Sequence, residues 1–299
     1  MNLYYFKSDK GNFGDDLNPW LWPQLFDIEN IEKETYFLGI GSILNNFDGN
    51  LISVKDKKKI VFGTGIRPHV NFSSFQHDQS FDIRFLRGPL SAGMTGNKFP
   101  FISDAAYALR QLDSFSADDT PKQYDVSVMP YFKSLDYLDW KAICAKLGYN
   151  YISPFSEKGV EFTISEIKKS RLLITEAMHG AIVADIYRVP WHRFIFSGPF
   201  TEGSMISEFK WADWLQSVGI YNNTATTIPL YTGNKPINQF QKLTNARFSI
   251  GYFYKARVIE SLLNKLAGKL PYYLSDDSVV KTVDERMAEE LYKLKSIKA

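Results

Sequence analysis

A chain of 299 residues that is 44% hydrophobic, with 23 Phe, 17 Tyr and 6 Trp, carries enough apolar material for more than one core, which excludes disordered and disulfide-stapled classes and makes two domains the default. Lys and Arg number 35 against 33 Asp and Glu, a balance that builds no strong overall field and gives no ground for a nucleic-acid partner. The one cysteine, Cys144, excludes an internal disulfide; it lies on the apolar side of the helical pattern 138–147 and reads as a packed thiol of a reducing compartment.

The chain opens on strand-like Leu3-Tyr4-Tyr5-Phe6 without a signal-peptide profile, and no apolar run reaches the roughly 20 residues of a membrane span, so a cytoplasmic protein is expected. In Gly11-Asn12-Phe13-Gly14-Asp15-Asp16-Leu17-Asn18-Pro19, Asn18 reads as an N-cap and Pro19 as the first helical residue. Two glycines and two carboxylates in one loop suit a backbone held close to a polar ligand, or else a turn whose aspartates cap the helix. A second strand over 35–44 runs into Gly39-Ile40-Gly41, which lacks the third glycine of a dinucleotide fingerprint and gives no ground for NAD. Buried strand and glycine turn recur at Ile60-Val61-Phe62-Gly63-Thr64-Gly65-Ile66-Arg67 and at Phe85-Leu86-Arg87-Gly88-Pro89. Arg67 and Arg87 are therefore expected at one sheet edge, where a guanidinium fork matches carboxylate or phosphate; a surface ion pair is the other reading of each. Asp104 stands at a further strand end and reads as a ligand-facing carboxylate or a helix cap. The polar stretch 111–123 marks a boundary between domains 1–117 and 118–299.

The second half alternates in the same way: strand 124–130, helix 135–147, strand 149–152, and a helix opened by the capping box Thr163-Ile164-Ser165-Glu166. Next comes Leu172-Leu173-Ile174-Thr175-Glu176-Ala177-Met178-His179-Gly180, a buried strand, Thr175 as N-cap, and a helix with His179 in its first turn. There the unpaired amides and the macrodipole favour an anion, and Gly180 lets a ligand approach the backbone. A strand at 193–196 precedes a short helix from 209, with Lys210 near its beginning, a polar stretch 221–238, and helical patterns at 254–266 and 283–294. The pattern 254–266 has an apolar stripe and a basic flank, which suits packing on the body of the protein or peripheral contact with a membrane's inner face. Strands alternating with helices predict an α/β fold of two doubly wound parallel-sheet domains facing across a cleft, with C-terminal helices. No P-loop and no zinc-type spacing occurs, and no metal is expected.

Gly11-Asn12-Phe13-Gly14-Asp15-Asp16, Gly39-Ile40-Gly41, Phe62-Gly63-Thr64-Gly65, Leu86-Arg87-Gly88-Pro89, Ser103-Asp104-Ala105-Ala106 and Met178-His179-Gly180, in this order, resemble the polysaccharide pyruvyl transferase family over about residues 1–215. The resemblance implies a GT-B-like two-domain fold and transfer of the enolpyruvyl unit of phosphoenolpyruvate to two hydroxyls of a sugar, closing a cyclic ketal. It assigns Arg87, His179 and Lys210 to the donor. Glu176 and Gly180, which flank His179, fall on the same side, and Asn12, Gly14, Gly41 and Asp104 are assigned to the acceptor. Where the family often has Arg-Leu before the histidine this chain has Ala177-Met178, so a cation is missing, and either Arg67 substitutes for it or the donor site is weakened. The chemistry needs a proton for the methylene carbon and a base for the attacking hydroxyl: His179 is the expected acid, with Asp15, Asp16 or Asp104 as base. Protonation activates the enol ether, so no bound cofactor is expected; phosphoenolpyruvate is a co-substrate, and the saccharide acceptor is lipid-linked, nucleotide-linked or polymeric. A GT-B glycosyltransferase with a nucleotide-sugar donor and a non-catalytic glycan-binding homologue are the competing readings.

Overall fold

The computed structural model describes residues 1–8, 10–27, 34–45, 51–68, 75–116, 120–228 and 271–296, with 239, 243, 256, 257, 259–261, 263, 264 and 268. The expected boundary at 117/118, the end of the polar stretch 221–238 and much of the pattern 254–266 lie outside the described residues. The chain forms two compact units: unit 1 is Met1–Ala117, Met205–Asn223 and Ser275–Ala299, and unit 2 is Asp118–Ser204 and Thr224–Leu274. The expected continuous domain 118–299 is corrected by this division, because the chain re-enters unit 1 twice. Lys210 thereby belongs to unit 1, whereas His179 belongs to unit 2.

Unit 1 is built on four parallel strands in the order β1 (Asn2–Leu3), β2 (Tyr36–Leu38), β3 (Lys59–Phe62) and β4 (Phe81–Phe85). All four residues of β3 are buried, as a strand covered on both faces requires. Among the described strands the order runs in one direction, so the expected double winding is not found in this sheet. Helix α1 (Phe13–Leu25) starts six residues before Pro19, its predicted first residue: Asn12 is the N-cap, and its side-chain oxygen accepts from the Asp15 amide at 3.1 Å. Pro19 thus lies inside the helix, where its ring removes the amide that would serve the Asp15 carbonyl. The Asn18 side-chain amide donates to that carbonyl at 3.2 Å, which explains how the helix tolerates the proline. Trp22 from α1 meets Phe37 and Phe62 edge-on, with ring centroids 4.9 and 5.7 Å apart.

The re-entrant segments complete unit 1. Helix α2 (Pro89–Gly93) follows β4, and helix α6 (Ser204–Ser217) brings Trp211, Asp213 and Trp214 into the interior. The last helix, α7 (Asp277–Lys295), buries Val280, Val283, Met287 and Leu291; its Asp284 takes both oxygens to Arg110 Nε, at 2.8 and 2.6 Å. At the amino end of β3, Lys59 is fully buried, donates to the carbonyls of Val54, Lys55 and Lys57, and has its pKa pushed down by burial.

Unit 2 has five parallel strands in the order β6 (Asn150–Tyr151), β5 (Ser127–Met129), β7 (Leu173–Thr175), β8 (Trp191–Ile195) and β9 (Thr226–Thr227). From β5 the chain adds β6 on one side and β7, β8 and β9 on the other, so winding reverses between β5 and β7. The helices are α3 (Trp140–Leu147), α4 (Val160–Lys168) and α5 (Met178–Ile186). Gly159 caps α4, and the supposed capping box lies inside it. Cys144 packs against Val128, Trp140 and Ile174 in the core, and burial pushes its thiol up to about 12, an inert packed residue. Ile259 and Leu263, described members of the pattern 254–266, are buried in the same core, so this apolar stripe packs on the protein. Among the described residues no helix is long and apolar enough to cross a membrane.

Candidate functional site

In open α/β sheets, ligands bind outside the carboxyl ends of the strands where the winding reverses. In unit 2 that point falls between β5 and β7, and the residues following these strands meet there. The carboxylate of Glu176, just after β7, is 7% exposed. One oxygen accepts from the amides of Phe196, Ser197 and Gly198 at 2.9, 2.7 and 3.0 Å; the other accepts from the Tyr131 amide at 3.2 Å and from the Ser134 hydroxyl. Glu176 therefore ties together the turns after β5, β7 and β8. This overturns its expected place as a donor ligand: both oxygens are occupied by the protein.

Helix α5 begins after this clamp. Its N-cap is Ala177, with no side-chain cap, and not the predicted Thr175. The Thr175 hydroxyl oxygen instead accepts from the Ala177 amide at 3.0 Å and holds the turn from the strand side. His179 is half-buried in the first turn, at the end where the helix dipole favours an anion. Gly180 has a packing reason: a Cβ there would lie 2.7 Å from Met129 Sδ and 2.8 Å from Thr175 Oγ1, so glycine lets α5 seat on β5 and β7.

Unit 1 gathers its motifs at the carboxyl ends of its own strands. Asn12, Gly14, Asp15 and Asp16 form the start of α1, and the Asn12 side-chain amide donates to Asp15 Oδ2, so cap and first-turn carboxylate are bonded to each other. Asn18, which sequence reasoning took for a cap, is buried and grips the next loop: its oxygen accepts from Ile40 N–H and its amide donates to Ile40 C=O, each at 3.0 Å. The Gly41 carbonyl accepts from Thr64 Oγ1 and from the Gly65 amide, both at 2.9 Å. Asp104 is a helix cap, fully buried, its Oδ1 accepting from the Ala106 amide at 3.0 Å, which removes it as acceptor ligand and as base. Arg67 is half-buried, and its backbone pairs with Leu44.

Arg87 differs most from expectation. It is 1% exposed and donates from Nε to Asp213 at 3.1 Å and from Nη1 to Ser42 Oγ at 2.6 Å, while its buried Nη2 has no hydrogen bond. Asp213 also accepts from the Ser91 amide at 2.9 Å and the Ser91 hydroxyl at 2.6 Å. The arginine expected to face a ligand thus forms a buried ion pair. Glycine permits the approach: a Cβ on Gly65 would lie 2.2 Å from Arg87 Nη2, and one on Gly88 1.9 Å from the Asp213 carbonyl. Lys210 stands mid-way along α6, three residues before Asp213 and half-buried, and not near the start of a helix over 209–215. Neither Asp213 nor Ser42 carried a sequence signal, because their partner Arg87 lies 126 and 45 residues away. Among the described residues no cluster of three metal-ligating side chains occurs.

A parallel sheet with a winding reversal, an imidazole on the helix N-terminus beside it and a carboxylate stiffening the same turns mark the strand ends of unit 2 as the candidate site of an α/β protein. The comparison with known proteins gives the family: the model of the polysaccharide pyruvyl transferase family matches residues 8–195, and the chain belongs to that family. It is 36% identical over 222 residues to the succinoglycan biosynthesis protein ExoV of Rhizobium meliloti (strain 1021), a match covering 74% of this chain and 66% of ExoV. The chain thus spans just under two thirds of that relative. A crystal structure of a functional uncharacterized protein, KP1_0663, from Klebsiella pneumoniae subsp. pneumoniae NTUH-K2044 aligns with 70% of this chain and 90% of its own, at 16% identity and a TM-score of 0.41, too loose a likeness to carry an argument.

Proposed function

We propose that this protein transfers the pyruvyl unit of phosphoenolpyruvate to two hydroxyls of a sugar, closing a cyclic ketal in surface-polysaccharide biosynthesis. The observation that supports this best is His179 in the first turn of α5, beside the winding reversal of unit 2 and on a turn immobilised by Glu176. A phosphate or carboxylate oxygen there meets helix-terminal amides and an imidazole. His179 delivers a proton to the methylene carbon or to the departing phosphate. The resulting cationic carbon takes the first hydroxyl, which loses its proton to a base, with Asp15 and Asp16 as the remaining carboxylates for that role. Phosphate then leaves, and the second hydroxyl adds and loses its proton, so one phosphoenolpyruvate and one diol give one ketal and one phosphate. Lys210 and Arg67 are the cations assigned to the donor; Arg87 acts from within its ion pair. Asn12, Gly14 and Gly41 stay with the acceptor.

Incubation with phosphoenolpyruvate and a panel of saccharides tests the reading. Phosphate release that requires both components, with a new quaternary ketal carbon by NMR, is the expected result. Release of nucleoside diphosphate from nucleotide sugars, or no reaction with either donor, overturns it.

A further inference from the structure

We infer that Ser42, and not Arg87, meets the anionic donor alongside the cations assigned to it, with Asp213 and Arg87 acting through the serine. The inference rests on the reading of phosphoenolpyruvate as donor. Ser42 follows Gly39-Ile40-Gly41 at the carboxyl end of β2 and is half-buried, whereas Arg87 and Asp213 behind it are 1% and 0% exposed. Arg87 Nη1 donates to Ser42 Oγ at 2.6 Å, so the serine oxygen is an acceptor in that bond. Its own hydrogen must point elsewhere, and among the described residues it has no acceptor. A hydroxyl whose oxygen already accepts from a guanidinium is polarised toward donation, and such chains strengthen one another in a poorly solvated setting.

The rest of the arrangement keeps this hydroxyl in place. Asp213 holds the guanidinium by Nε and is itself anchored on Ser91, so the charge cannot swing away from Ser42. The turn carrying Ser42 is fixed from below, since Asn18 bonds both the amide and the carbonyl of Ile40 and Thr64 bonds the carbonyl of Gly41. Gly41 has φ +136, a conformation that a side chain at this position would strain. A preformed donor on a rigid turn at a strand's carboxyl end fits one oxygen of a carboxylate or a phosphate.

Calorimetric titration of phosphoenolpyruvate, pyruvate and inorganic phosphate into wild type, Ser42→Ala and Ser42→Thr tests the inference, with thermal unfolding of each variant alongside. Expected is a loss of phosphoenolpyruvate affinity of about ten- to a hundredfold in Ser42→Ala, with a lowered melting temperature because buried Arg87 Nη1 loses its acceptor, and recovery of both in Ser42→Thr. A parallel loss with pyruvate places the contact on the carboxylate; one with phosphate places it on the phosphoryl group. Wild type that binds phosphoenolpyruvate and Ser42→Ala that binds it equally well overturn this inference alone. Wild type that binds none overturns the proposed function and this inference with it.

Discussion

Replacing Glu176 by glutamine separates a clamp from a ligand contact. The carboxylate accepts five hydrogen bonds from four amides and a hydroxyl. Glutamine keeps one oxygen, which can serve the three amides of Phe196, Ser197 and Gly198; its NH2 then faces the Tyr131 amide, donor against donor. That stranded amide costs about 1–3 kcal/mol, and the three retained bonds fall from the charged to the neutral class at about 1 kcal/mol each. Relief from burying a charge offsets part of the sum, leaving a net loss of about 3 kcal/mol. In a chain of this size that is a fall of about 6–12 °C in melting temperature. Urea and thermal unfolding of wild type and Glu176→Gln supply the readout, with phosphoenolpyruvate titration of the folded variant alongside. A stability change below about 1 kcal/mol together with lost donor affinity refutes the clamp and returns Glu176 to the ligand.

Asp213→Ala leaves Arg87 and the Ser91 amide buried without their acceptor and should cost about 3–5 kcal/mol in urea unfolding, most of it recovered in the double variant Arg87→Met with Asp213→Leu; a single-variant loss under about 1 kcal/mol contradicts the buried pair. Gly180→Ala gains helix propensity but drives a methyl group against Met129 Sδ and Thr175 Oγ1, and a net loss of about 1–2 kcal/mol is expected, with unchanged stability as the contrary result. His192 is buried in β8, its Nδ1–H donating to the Pro271 carbonyl at 2.9 Å and its Nε2 accepting from Thr226 Oγ1 at 3.0 Å. Burial lowers its pKa, with the Pro271 bond opposing, so the unfolded chain takes up the proton first. Stability present above about pH 6.5 is therefore lost as pH falls toward the folded value, and urea midpoints across about pH 5–8 should show less of this slope in His192→Gln; equal slopes refute it.

Strands followed by glycine turns were legible because burial on both faces leaves continuous apolar runs: β3 falls within its predicted stretch, and β4, β7 and β8 overlap theirs. His179 in the first turn of a helix was legible for the same reason, since strand, turn and helix are contiguous there. What escaped were polar side chains whose meaning lies far along the chain. Asn18 looks like a cap until Ile40, 22 residues on, is seen to fill its amide. Arg87 looks like a ligand arginine until Asp213 arrives from α6. Thr175 and Asn12 show that a cap cannot be placed from residue type alone where several candidates stand within a few positions. The assignment of Lys210 to the second half failed because chain order does not record that α6 packs back on unit 1.

The return of the chain to unit 1 also sets a timetable for its making. Unit 2 has all its residues once Leu274 is synthesised, but unit 1 still awaits Ser275–Ala299, including the buried face of α7 and the carboxylate that Arg110 grips. The first-made unit is thus the last that can close. Until α7 emerges from the ribosome, the parallel strands of residues 1–117 are held with an open hydrophobic flank, a stage at which a chaperone has something to bind and a nascent neighbour has something to stick to.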